Sequence, residues 1–195
     1  MPKPNIIYFV DDFLPNYILE ETTKNLSSKD YEEYKTPGKS FYIQEASHPF
    51  MNHVCSSLSA IEGNTVTPIL GFFRVSNDVL DTNWRIHSDL KIEGEQPDRA
   101  LVLYMSPREI DELHGTALWE HKEHGRSLPS NTTDKEFNEL ITIQAEDLNA
   151  WTLNSVIGYN QNRAISYPAN YFHSKYPNKS WKSGREVFVM FYKTK

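Results

Sequence analysis

The chain is poor in cysteine. Cys55 is alone among 195 residues, so no internal disulfide can form and packing must hold the fold. Long apolar runs are also missing. Stretches such as Ala100–Met105 fall far below the ~20 residues a membrane helix needs. Met1-Pro2-Lys3-Pro4-Asn5 has none of the apolar character of a secretory leader. Positive charge is scarce as well: 20 Lys and Arg stand against 26 Asp and Glu, a formal net charge of −6. That balance argues against a general nucleic-acid binder, which carries a basic excess. No Gly-rich phosphate loop, serine-centred nucleophile elbow or paired-cysteine motif occurs. The absences lead to the expectation of a soluble, cytoplasmic protein.

Aromatic residues are plentiful, with eleven Tyr, ten Phe and four Trp. They supply the material of a core and exclude a disordered chain. The length fits one domain, 1–195, large enough to fold without metal or disulfide. Residues Asn5–Val10 read as a strand. A helix follows Pro15-Asn16, with Leu14, Ile18, Leu19, Thr22 and Leu26 on one face. A second helix follows Ser47-His48-Pro49, striped by Phe50, Val54, Leu58 and Ile61 and ended by Gly63.

Beyond residue 64 the character changes to short β-branched and aromatic segments. Thr65–Ser76, Arg99–Ser106, Thr116–Trp119, Leu140–Ala145, Trp151–Tyr159, Arg163–Tyr167 and Val187–Tyr192 read as strands. Helices first and strands after them predict a mainly β sandwich or jelly roll with N-terminal helices packed on one side. On this division residues 1–64 support the barrel and 65–195 form the core that carries the site. Residues 109–147 hold ten acids and three bases, and within them 120–135 is polar and aperiodic. That stretch is expected to be an exposed loop able to close over a site, as a lid does.

Histidine is the main chemical lead. His87-Ser88-Asp89 follows the strand-like Asn83–Ile86, and residues i and i+2 of an extended chain project to one side. One imidazole and one carboxylate can then hold the same ion, with a third ligand from elsewhere. His173, which follows a strand and a Pro-containing turn, is a plausible third. Two His and one carboxylate on one face of an octahedron leave open positions suited to Fe(II) and O2. The same residues also read as a surface ion pair and a core histidine, and Tyr104 as a core tyrosine. A rival cluster, His114, His121 and His124, could hold zinc if the chain there made a helical turn.

Taken in order, His87-X-Asp89, the strand with Tyr104, Gly115-Thr116-Ala117-Leu118-Trp119, His173 and then Arg185 resemble the prolyl-4-hydroxylase-like branch of the 2-oxoglutarate- and Fe(II)-dependent dioxygenases. The resemblance covers residues ~65–195 and implies a double-stranded β-helix. It further implies iron held by His87, Asp89 and His173, with 2-oxoglutarate and O2 as co-substrates. Arg185 would grip the distal carboxylate of 2-oxoglutarate, assisted by Tyr104, and Arg163 is the next candidate for that grip. The chain departs from some relatives at His114-Gly115, where they carry Gly-Gly, and at Val189, where they carry a hydroxyl. The activity implied is hydroxylation of a substrate such as peptidyl proline, coupled to oxidative decarboxylation of 2-oxoglutarate. A different reading is a jelly-roll module that binds a carbohydrate or protein without chemistry. Arg74, Trp84, Arg85, Trp119 and Trp181 are candidates for the mouth of the site.

Overall fold

A computed structural model describes residues 5–26, 31–36, 39–77, 79–82, 84–107, 114–129, 131–177 and 184–195. Its spine is an antiparallel sheet centred on β10 (Arg185–Thr194). β4 (Val66–Ser76) pairs along one edge of β10 and β5 (Arg99–Tyr104) along the other. Outside β5 lie β8 (Ala164–Pro168) and the short β1 (Tyr8–Val10). Outside β4 lie β3 (Lys39–Glu45) and β2 (Glu32–Thr36), which completes seven strands. A second sheet has three strands, in the order β7 (Trp151–Gly158), β6 (Gly115–His121) and β9 (His173–Tyr176).

The sequence of β5 shows why it is central. All six of its residues are buried, because both faces are covered. Leu101 and Leu103 point to a layer formed by α1 (Asn16–Leu26) and α2 (His48–Glu62), where they meet Leu14, Leu26, Val54 and Leu58. Ala100, Val102 and Tyr104 point the other way, into the space between the sheets, with Tyr167, Val187 and Phe191. Helix α2 sits tightly on the large sheet. Phe50 packs against Phe188 at 4.9 Å and Phe73 at 5.0 Å, and a Cβ on Gly71 would come within 2.6 Å of the Met51 sulfur. At the far end of α2, the buried Glu62 accepts from Arg99 Nε at 2.8 Å, from the Tyr192 hydroxyl at 2.7 Å and from the Ser166 hydroxyl at 3.3 Å, tying that helix to β5, β10 and β8.

This is the mainly β jelly roll with N-terminal helices on one side, and no helix among the described residues is long and apolar enough to cross a membrane. Four segments differ from expectation. The hairpin β2–β3 goes unannounced because Glu32, Glu33 and Lys35 give it the polarity of a solvent-facing sheet edge. Strand β9 is only four residues long. Leu140–Ala145 is not a strand. A capping box between Thr133 and Glu136 starts α3 (Asp134–Glu139), which runs on into a wide helical turn at Leu140–Gln144. Residues 84–87 are extended but pair only through a bridge at His87.

The polar stretch 120–135 is partly regular: Glu120 and His121 finish β6, and α3 begins at Asp134. Between them the backbone is tied down by Lys122 N to Ala150 O at 3.0 Å, Phe172 N to Arg126 O at 3.0 Å and Leu128 N to Asn170 O at 3.2 Å, with Leu128 buried.

Candidate functional site

The site grows from one backbone pairing. His173 opens β9 opposite Leu118, and its ring faces Tyr167 of the large sheet at 4.8 Å, between the two sheets. His87 pairs with it as an isolated antiparallel bridge, with N–H to O=C bonds of 3.0 and 2.8 Å exchanged both ways. Such a doubly bonded pair sets two side chains next to each other. The rings are 4.3 Å apart. Two residues on, the Asp89 N–H donates to Ala169 O at 2.8 Å, which keeps the carboxylate on the same side. Asp89 Oδ2 lies 3.3 Å from His173 Nε2, and Oδ1 lies 3.9 Å from His87 Nε2. The three ligand atoms all fall within 4.8 Å of one another.

Hydrogen bonding prepares the imidazoles as ligands. His173 Nδ1 is 3.0 Å from Tyr171 O, and His87 Nδ1 is 3.3 Å from Arg85 O. A carbonyl only accepts, so each Nδ1 carries the proton and each Nε2 presents its lone pair toward Asp89. Burial pushes the His87 pKa well below its ordinary value, reinforced by His173, Arg85 and Arg74, so the ring is neutral at neutral pH. Burial pushes Asp89 upward, against the pull of His173, Arg85 and Arg74. A buried carboxylate facing two lone pairs is what a divalent cation relieves, and this donor set fits a first-row ion with one face left open. The opening is on the His87 side, whose side chain keeps 21% exposure against 8% for His173 and 9% for Asp89.

A second cluster adjoins the triad through β6. Thr116 lies two residues before Leu118 and so on the same face, about 7 Å along the strand from the His173 pairing. Arg185, the first residue of β10, is buried and donates from Nη2 to Thr116 Oγ1 at 3.3 Å. Its guanidinium carbon stands 5.3 Å from the centre of the Tyr104 ring. The Tyr104 hydroxyl is 2.8 Å from Thr116 Oγ1, and the ring stacks on Tyr159 at 4.2 Å. Tyr159 is fixed in turn by donating to Ser106 O at 2.8 Å. Burial lowers the pKa of Arg185 and raises those of Tyr104 and Tyr159. The arrangement is a buried cation in a wall of hydroxyl groups, suited to a carboxylate.

Sequence reasoning named Arg185 and Tyr104 but missed Thr116 and Tyr159. Thr116 lies in β6, and its inward register is the signal that finds it. Arg163, the fallback for Arg185, is engaged elsewhere: it donates two hydrogen bonds to the Asp11 carboxylate at 2.7 and 2.9 Å.

The rival histidine cluster does not come together around one point. His114 packs on Tyr159 at 4.9 Å, beside the Arg185 cluster. His121 and His124 stack at 4.8 Å, with Glu123 near, but His121 has no lone pair to offer. Its Nδ1 accepts from the Glu123 and His124 N–H groups at 3.2 and 3.3 Å, so Nε2 carries the proton and donates to Gln144 Oε1 at 2.6 Å. Among the mouth candidates, Trp119 lies on the outer side of the small sheet with Trp84 against it, and Trp181 is outside the described residues. Arg74 and Arg85 both flank the Phe41 ring.

No protein-family model matches the chain, and no curated protein matches it in sequence. Solved structures do match in fold. The epimerase SnoN, in complex with Fe3+, alpha ketoglutarate and nogalamycin RO, superposes with a TM-score of 0.64 at 10% identity, over 97% of this chain and 79% of SnoN. HygX from Streptomyces hygroscopicus, with nickel, 2-oxoglutarate and hygromycin B bound, gives 0.60 at 10% identity over 96% and 82%. A Pseudomonas putida prolyl-4-hydroxylase gives 0.54 at 8% identity over 96% and 92%. The chain therefore has the fold of the 2-oxoglutarate and Fe(II) oxygenases.

Proposed function

We propose that this chain is a non-haem iron oxygenase that couples oxidative decarboxylation of 2-oxoglutarate to oxidation of a small-molecule or peptide substrate. The observation that carries the reading is the juxtaposition of two preset imidazoles and a buried carboxylate with a buried arginine one strand step away, on this fold.

His87, Asp89 and His173 would hold Fe(II) by three ligands, which leaves positions for 2-oxoglutarate and O2. Bound iron supplies the activation of O2 by which 2-oxoglutarate becomes succinate and CO2 and the substrate gains a hydroxyl. The residues of the chain supply the rest. Arg185 receives the distal carboxylate of 2-oxoglutarate, with the Tyr104 and Thr116 hydroxyl groups as further contacts. The spacing between Thr116 and the His173 pairing suits a short dicarboxylate reaching from guanidinium to metal. Tyr167 and Tyr104, both fully buried, exclude water from the inner wall. Peptidyl proline is a substrate to test, as are antibiotic-like small molecules, because the fold neighbours include proteins named for each.

The test is anaerobic loading with Fe(II), followed by measurement of O2-dependent succinate release from 2-oxoglutarate. Calorimetry with Mn(II) runs in parallel on the wild type and on His173→Ala. Succinate release, together with loss of Mn(II) binding in His173→Ala, is the expected result. Wild-type protein that binds neither Mn(II) nor 2-oxoglutarate would overturn the reading and favour the non-catalytic carbohydrate or protein binder.

A further inference from the structure

We infer that Arg85 receives an anionic group of the primary substrate, a carboxylate or a phosphate monoester, beside the metal centre. The inference deepens the oxygenase reading and rests on it.

Three other cations near the triad already have their roles. Arg74 is paired with Asp81, whose Oδ2 is also held by Ser76 Oγ at 2.9 Å. Lys175 donates to the backbone carbonyl of Asp81 at 2.7 Å. Arg185 lies deeper, against Thr116 and Tyr104. The Arg85 guanidinium is partly buried, yet among the described residues it makes no hydrogen bond and no ion pair; its contact is the Phe41 ring, 5.8 Å away. Taking a guanidinium out of water without acceptors is costly, so a site that holds one this way is built for an incoming acceptor.

Its position says where that acceptor comes from. Arg85 is fixed at its backbone, where its carbonyl accepts from His87 Nδ1 at 3.3 Å, and His87 is the most open member of the triad. Phe41 projects from β3 with Arg74 at 4.4 Å and Arg85 at 5.8 Å from its centre, so the two guanidinium groups share one aromatic support. Arg74 is paired directly with Asp81, whereas Arg85 feels Asp89 and Asp81 only at longer range and has no ion pair of its own among the described residues. The planar fork of a guanidinium matches oxyanions bidentately, whereas a neutral polar ligand would leave the buried charge uncompensated. Within a chain of net charge −6, Arg85 thus sets a guanidinium beside the most open member of the triad.

The experiment uses the full chain saturated with Mn(II) and 2-oxoglutarate, which occupies the triad and Arg185. Acetate and inorganic phosphate are then titrated, and the rise in Tm is followed for wild type, Arg85→Gln and Arg85→Lys. Matching circular dichroism and matching Tm without anion confirm that the variants fold. The expected result is half-maximal stabilisation of the wild type at about tenfold lower anion concentration than Arg85→Gln, with Arg85→Lys between them. A stronger response to phosphate assigns a phosphate monoester, and a stronger response to acetate assigns a carboxylate. Equal responses of wild type and Arg85→Gln, with Mn(II) and 2-oxoglutarate demonstrably bound, overturn the assignment of Arg85 and leave the oxygenase reading standing. Failure of the wild type to bind Mn(II) and 2-oxoglutarate removes the oxygenase reading itself, and this inference with it.

Discussion

Replacing Arg185 by Gln tests co-substrate binding apart from metal binding. In the free protein the guanidinium is buried against Thr116 and the Tyr104 ring, and burial disfavours its charged form. Gln removes that buried charge but is also shorter, so the gain from losing the charge and the cost of the lost contacts oppose one another and the fold should keep about its wild-type stability. Binding should suffer instead. A bidentate grip comprises two charge-assisted hydrogen bonds, each worth about 1.5–3 kcal/mol. Gln can return one weaker bond, and the Tyr104 and Thr116 hydroxyl groups remain in place. A net loss of about 1.5–3 kcal/mol is therefore expected, or about 10- to 150-fold in Kd for 2-oxoglutarate. Lys keeps the charge but not the fork and should recover only part of the loss. The assay is anaerobic calorimetry of 2-oxoglutarate into Mn(II)-loaded protein, with Mn(II) affinity measured separately. Mn(II) affinity should not change, because Arg185 is not a ligand. Wild-type 2-oxoglutarate affinity in Arg185→Gln would refute the anchor, and equal loss of Mn(II) affinity would show that Arg185 acts on the triad rather than on the co-substrate.

Three further outcomes follow from packing and charge. Gly115→Ala would place a Cβ 2.0 Å from the Ile157 carbonyl oxygen, so β6 and β7 must separate; a loss of about 2–3 kcal/mol in urea unfolding is expected, with weakened 2-oxoglutarate binding through the adjacent Thr116. Arg99→Met leaves Glu62 buried without its cation and should cost about 3–5 kcal/mol by the same measurement, which a surface-like loss below about 1 kcal/mol would contradict. Glu186 is raised above the ordinary carboxylate value by burial, opposed by the Tyr31 hydroxyl, so the folded chain holds this proton more tightly than the unfolded one. Stability from this group is full below the unfolded value, near 4.5, and declines as pH rises through the folded value; the Tm of Glu186→Gln should therefore gain on the wild type as pH is raised from 4 to 7.

The parts of the fold legible in the sequence are those where one physical force acts alone. The stripe Phe50, Val54, Leu58 has no competing reading as anything but a helix face, and Gly63, with φ 67°, ends it as the left-handed position requires. The continuous apolar run of β5 marks a strand covered on both faces. Leu140–Ala145 misleads because its β-branched residues read as a strand locally, whereas the Thr133–Glu136 capping box upstream has already committed the chain to a helix. The charged hairpin β2–β3 is silent for the opposite reason: it carries almost no apolar alternation and is held by its pairing to β4.

The site divides along the same line. His87, Asp89, His173 and Arg185 can be found because each is a residue type whose burial needs a chemical reason, and their order along the chain is distinctive. Thr116 in β6 and Tyr159, just past the end of β7, are ordinary residues that enter the proposed site only through what faces them across the two sheets, and no local pattern announces that. Arg85 is the intermediate case. Its residue type marks it as a candidate for the mouth, as it marks Arg74, and marks Arg163 as the alternative carboxylate anchor. What separates them is partnership: Asp81 neutralises Arg74 and Asp11 neutralises Arg163, both across contacts that the chain order conceals. Among chemically equal arginines, the one left without an ion pair beside the proposed metal site is the one we assign to an incoming ligand.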